Sequence, residues 1–173
     1  MSFKKFVVIP LIIAGLAFTI QIVDQLLSPL MPPCGNSGFG WIAFQAWAVY
    51  FLAGCNINGG IKAVVGYAAG IAGSIAIMTL GGIFGPLQFF AFPLAVGLVA
   101  CALIFLERTT WWLSFIPAMF IGAGAFFAFM TYVDGATFMK ATITELVYCL
   151  IGLTYGFMTV ALRTAYEKGL SKE

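Results

Sequence analysis

Six apolar runs, each near the length of a membrane-crossing helix, dominate this chain: 6–27, 38–54, 61–84, 87–106, 111–132 and 137–162. Crossing about 30 Å of hydrocarbon takes about 20 mostly apolar residues in a helix. The breaks carry turn chemistry: Ser28-Pro-Leu-Met-Pro-Pro-Cys-Gly-Asn-Ser, Asn56-Ile-Asn-Gly-Gly, Gly85-Pro, Glu107-Arg-Thr-Thr and Asp134-Gly. The break around Gly81-Gly-Ile-Phe-Gly-Pro is barely polar, so a single broken element is the alternative there. Membrane β-barrel strands alternate apolar and polar residues, and this chain does not. The expected fold is all-α, a polytopic membrane protein of about six helices forming one domain over residues 1–173.

Only 8% of the residues are charged and 62% are hydrophobic, against roughly 25% charged in a soluble domain. No basic cluster suggests nucleic acid. The absence of His removes His proton relays, His metal sites and Ser–His pairs. Cys34, Cys55, Cys101 and Cys149 are widely spaced with no C-x-x-C, so they read as small buried residues rather than metal or redox groups. No cofactor, metal or nucleophile–base pair is predicted, and no enzyme activity. The start, Met1-Ser-Phe-Lys-Lys followed by an apolar run, looks like a signal peptide, but the run is long and its cleavage pattern poor. A retained first helix is predicted.

Basic residues favour the cytoplasmic side. With six spans, Lys4, Lys5, Lys62, Arg108, Arg163, Lys168 and Lys172 share one side and only Lys140 falls on the other. Both termini are therefore expected in the cytoplasm, and an even span count is favoured. A faint internal repeat is also readable. Trp41-Ile-Ala-Phe and Trp112-Leu-Ser-Phe open the second and fifth spans, and Lys62-Ala and Lys140-Ala open the third and sixth. Two three-span halves would have opposite topology, a recurrent transporter plan; chance similarity is the alternative.

Glu145 is an acid within the last apolar run, eight residues past Thr137 and so about 12 Å along the helix. A carboxyl in hydrocarbon costs roughly 2.5–3.5 kcal/mol on insertion scales, so it usually meets a partner or a water-filled cavity. On a helix Glu145 shares a face with Cys149, Gly152 and Gly156, and Thr142, Thr144 and Tyr148 add polar atoms nearby. A purely structural carboxyl is the competing reading. Gln45, inside the second span, is expected to be helix–helix glue or a donor to a solute. Lys62, after Asn58, reads first as a headgroup anchor. Pro93 and Pro117 are placed inside spans four and five, where each would free a carbonyl one turn back. Asp24 is expected to reach the interface and be solvated. Gly66-x-x-x-Gly70 and Gly152-x-x-x-Gly156 permit close helix contact, within or between subunits.

Three segments together resemble the YcdZ-type small bacterial inner-membrane proteins. They are Tyr50-Phe-Leu-Ala-Gly-Cys-Asn-Ile-Asn-Gly-Gly-Ile-Lys-Ala, Leu113-Ser-Phe-Ile-Pro-Ala-Met-Phe-Ile-Gly-Ala-Gly-Ala-Phe-Phe-Ala and Ile151-Gly-Leu-Thr-Tyr-Gly-Phe-Met. The likeness covers roughly residues 39–162, and the first span matches least. It implies a several-helix protein of the bacterial inner membrane and supplies no functional residues. The resulting expectation is a homo-oligomeric channel or facilitator, embedded in the lipid bilayer, for a small polar solute. Glu145, Thr142, Tyr148, Gln45, Lys62, Asn58 and Pro117 are its pathway candidates. The rivals are a non-transporting subunit that scaffolds a larger complex and, less well matched, an intramembrane enzyme.

Overall fold

The computed structural model describes residues 3–170, and among these the regular structure is entirely helical. A single turn, α1 (Phe3–Phe6), precedes six long helices: α2 (Val8–Leu27), α3 (Gly40–Leu52), α4 (Ile57–Ile83), α5 (Ala91–Leu106), α6 (Ile116–Tyr132) and α7 (Phe138–Leu170). Each matches one apolar run of the sequence. Four segments are long and apolar enough to cross a membrane: Val8–Leu30, Ile57–Ile83, Gly85–Leu106 and Phe138–Leu170. The helices Gly40–Leu52 and Ile116–Tyr132 are shorter. At 13 and 17 residues they reach about 20 and 26 Å.

Local chemistry sets most boundaries. Gly54 and Cys55 both take left-handed φ values, +91° and +57°, and turn the chain out of α3. Asn56 then caps α4, its side chain accepting from the Gly59 N–H at 2.8 Å. This cap starts α4 earlier than the apolar pattern at 61–84 suggests. The barely polar third break is a true break: a 3-10 segment, Gly85–Phe90, joins α4 to α5, with Gln88 at φ +48°. Pro93 and Pro117 lie in the first turns of α5 and α6, not inside them. A first-turn proline removes an N–H that has no intrahelical acceptor, so the two helices are initiated there rather than kinked.

The tightest seams pair α3 with α7 and α4 with α6. Glycine permits both. A methyl on Gly152 would overlap the Ala43 carbonyl, and one on Gly70 would overlap the Met119 carbonyl. Gly156 meets Tyr50 and Gly66 meets Ala118 in the same seams. Both G-x-x-x-G faces are thus spent inside the chain. α5 lies against α4, and α7 also meets α2, α4 and α6.

The loops gather at two ends. At one, Lys62 Nζ sits 5.3 Å over the Trp111 ring, and the Tyr166 hydroxyl donates to the Lys5 carbonyl at 2.7 Å. A groove of about 870 Å³ there is lined by Tyr50, Cys55, Asn56, Asn58, Thr164 and Lys168, among others. At the other end Asn36 Nδ2 donates to the Asp134 carbonyl at 3.5 Å, and Lys140 Nζ to the Gly135 carbonyl at 3.0 Å. The described basic residues therefore divide as the sequence predicts, with Lys140 apart. The side chain of Lys4, and Lys172, lie outside the described residues. α7 continues past the predicted end at 162 to Leu170, with an exposed Arg163–Glu167 pair at 2.9 Å.

Candidate functional site

α7 presents two adjacent buried stripes, and each carries a different polar arrangement. Helical spacing puts Thr144 and Tyr148 on one stripe and Glu145 and Cys149 on the next, all four buried. The first stripe faces α2 and the loop after it. Thr144 Oγ1 donates to the Pro32 carbonyl, and the Tyr148 hydroxyl donates to Asp24 Oδ1 at 2.8 Å. Asp24 is only 5% exposed. The expectation of a solvated Asp24 is therefore corrected: the last turns of α2 fold against α7 and enclose it. Ser28, also buried, lies beside the same hydroxyl and accepts from the Gly38 N–H at 3.3 Å. Phe39 closes this end, stacked on Phe129 at 5.3 Å and edge-on to Tyr148 at 5.8 Å.

The second stripe is different. Glu145 is 0% exposed, and neither carboxyl oxygen has a hydrogen-bond partner among the described residues. The Tyr67 hydroxyl of α4 is likewise buried without a partner, and Tyr67, Glu145 and Cys149 lie within electrostatic range of one another. Tyr67 is held in place by α6, whose Gly122 abuts its backbone and ring. Counted from the starts of their helices, Glu145 is about 10 Å into α7 and Tyr67 about 15 Å into α4, entering from opposite ends. The pair thus sits midway through the bundle. Buried polar groups in native proteins are nearly always bonded, so two unpartnered groups within electrostatic range of each other need a reason.

Of the pathway candidates, the structure brings Glu145 and Tyr148 to neighbouring stripes. Thr142 is half-buried and spends its hydroxyl on the Phe138 carbonyl at 2.7 Å. Gln45 is exposed on the outer side of α3. Lys62 and Asn58 lie at the bundle end, and Pro117 is exposed at the start of α6. Only Cys149 among the cysteines is interior; Cys34, Cys55 and Cys101 are exposed, which corrects their reading as buried small residues. Among the described residues no group of His, Cys, Asp or Glu could hold a metal ion.

Tyr67 is a buried polar group that the apolar pattern did not mark, and Asp24 is one that it placed at the interface. Tyr67 had one available signal, a polar-tipped ring between Gly66 and Gly70 deep in an apolar run. Asp24 had none, because burial near a helix end depends on what folds over it.

The fold and site define an all-helical protein with apolar helices of membrane-spanning length and an enclosed, unsatisfied carboxyl. Residues 17–163 match the family model described as a protein of unknown function (DUF1097), and the chain belongs to that family. The match begins within α2 and so takes in Asp24 and the proline-rich loop. No curated protein and no solved structure matches the chain.

Proposed function

We propose that this protein is a polytopic membrane protein of the bacterial inner membrane that passes a small polar solute through the enclosed site at Glu145. The observation that carries the reading is the Glu145 carboxyl, fully buried within electrostatic range of the Tyr67 hydroxyl, with no described protein partner for either. A carboxyl kept in an apolar bundle at a cost of several kcal/mol is retained for structure or for use. Asp24 shows what structural use looks like here, and Glu145 lacks those bonds. The resting arrangement is closed: neither the groove at Tyr50 and Asn58 nor the pocket at Asn36 and Trp41 includes Glu145. Passage therefore requires helices to move.

The helix pairing supports a 3+3 inverted repeat. If α2–α4 and α5–α7 are the two halves, the middle helix of each packs along the third helix of the other. That exchange is symmetric, and Glu145 and Tyr67 come from the two equivalent helices, α7 and α4. Solute sites at the interface between repeats are the usual arrangement of such transporters. The basic residues gathered at the end that holds Lys5, Lys62 and Lys168 support cytoplasmic termini. A reporter fused after Glu173 that is active only in the periplasm would overturn this orientation.

Assembly finds its support in Gln45. Its exposed amide lies midway along the short α3 and has no hydrogen bond to another described residue. An amide facing hydrocarbon is poorly solvated, and a second copy offers the same donor and acceptor in return. The same amide also favours the second reading, a non-transporting subunit docked on a different membrane protein. Reconstitution separates them. Flux of small solutes into vesicles holding the pure protein supports the first. A stoichiometric partner with no flux supports the second.

A further inference from the structure

We infer that the Glu145–Tyr67 site takes a small cation bearing N–H donors, of the ammonium or primary-amine class. The inference rests on the transport reading above and adds the chemistry of the cargo.

The argument is an inventory of buried polar groups. Among the described residues the buried polar and charged ones are Asp24, Ser28, Ser74, Thr144, Glu145 and Thr159. Most are spent. Ser74 donates to the Ala123 carbonyl at 3.2 Å, Thr159 to the Tyr155 carbonyl at 2.8 Å, and Thr144 to the Pro32 carbonyl. Ser28 accepts from Gly38, and Asp24 accepts from Tyr148. Glu145 remains with both oxygens, and Tyr67 with its hydroxyl. Trp47 Nε1 is also unpartnered, a single donor on α3 whose ring packs on Phe44 and Tyr155.

What is left is rich in acceptors. An ionised carboxyl only accepts, a protonated one also donates its single hydrogen, and a phenol donates one hydrogen while accepting others. The nearest lysine in sequence, Lys140, is committed to the Gly135 carbonyl, and Lys62 to the Trp111 ring. No buried basic side chain is present among the described residues to neutralise Glu145. An anion would find one donor and one repelling carboxyl. A neutral amide would satisfy the oxygens but supply no opposite charge. A protonated amine supplies both, in charge-assisted bonds about twice as strong as neutral ones.

Size follows from burial. Glu145, Tyr67 and Cys149 are all fully enclosed. Interiors hold few voids larger than a water molecule, so the smaller the cargo, the less the helices must part to admit it. A quaternary ammonium is bulkier and has no N–H to give, so the site should reject it.

The test uses the purified full chain in vesicles and radiolabelled methylammonium at about pH 6, where the leaky neutral amine is scarce. The expected result is saturable uptake, competed by ammonium and not by tetramethylammonium. Glu145→Gln should lower it about tenfold or more, through loss of a charge-assisted bond in a buried setting. Tyr67→Phe should lower it less. Should Glu145→Gln fail to fold, Glu145→Asp and an ammonium-induced rise in the thermal midpoint of the wild type supply the second measurement. A rise that is absent in the wild type counts against the site. Uptake of urea without uptake of methylammonium overturns the cation class while leaving the transport reading intact. Flux of no solute at all overturns both.

Discussion

Asp24 and Glu145 are both carboxyls enclosed by α7 and its neighbours, yet one is bonded and the other is not. Asp24 receives the Tyr148 hydroxyl at 2.8 Å, with Gln21 and Ser28 close by. Glu145, one helical stripe away, receives nothing from the described protein. The difference separates two reasons for keeping an acid in an apolar bundle. A bonded acid ties α2 to α7 and acts through stability. An unbonded one weakens the fold and, on the proposed transport reading, is retained for what it binds. Mutations should therefore move stability at the first and, if the proposed transport holds, flux at the second.

The largest stability effect is expected at the bonded acid. Tyr148→Phe leaves the Asp24 oxygen short of its donor and should destabilise by about 2–3 kcal/mol. Chemical denaturation in mild detergent measures this, and an unchanged midpoint would erase the distinction between the two acids. Next comes Gly40→Ala. Its new methyl would lie 3.1 Å from Asp24 Oδ2 and 3.2 Å from Gln21 Nε2. Those neighbours must shift, at an expected cost of about 1–2 kcal/mol. The same change at Gly124, where nothing lies within 4 Å, is the control.

Glu145→Leu should behave in the opposite sense. Replacing an unsatisfied buried polar group by an apolar one is neutral or stabilising, by up to about 1 kcal/mol, while the proposed transport would be lost. A destabilisation as large as that of Tyr148→Phe would make Glu145 a second structural acid. The smallest effect belongs to Tyr67→Phe. It removes a hydroxyl that bonds to no described group, so the expected change in stability is within about 0.5 kcal/mol of zero. Here a loss of more than about 1 kcal/mol would reveal a bond at Tyr67 that its surroundings do not supply.

The two stripes also differ in how readily they are seen in the sequence. Glu145 stood out because a charge within a long apolar run is rare, and period-3.6 spacing put Cys149, Gly152 and Gly156 beneath it. All of these are buried as that spacing implies. Asp24 has the same chemistry but stands three residues from the end of its helix. Near an end, the sequence cannot tell an acid that meets solvent from one covered by a neighbour. The prolines misled for a related reason. Hydropathy runs on through Pro93 and Pro117, whereas the helices begin just before them, because the chain ahead of each takes a tight 3-10 course.

Hydropathy and turn residues alone determined the number of helices, their order and the division of basic residues between two ends. These are local properties: apolar length, caps, and glycine or proline at breaks. Which helix lies beside which was decided only in three dimensions, since G-x-x-x-G permits close approach without naming a partner. The seams of α7 with α3 and of α4 with α6 made that choice. They consumed the glycine faces, turned Gln45 outward, and brought Tyr67 from one half of the chain within electrostatic range of Glu145 in the other. Those two residues lie 78 positions apart in sequence. No periodicity records it, because it depends on the fit of whole helix surfaces rather than on spacing along any one of them.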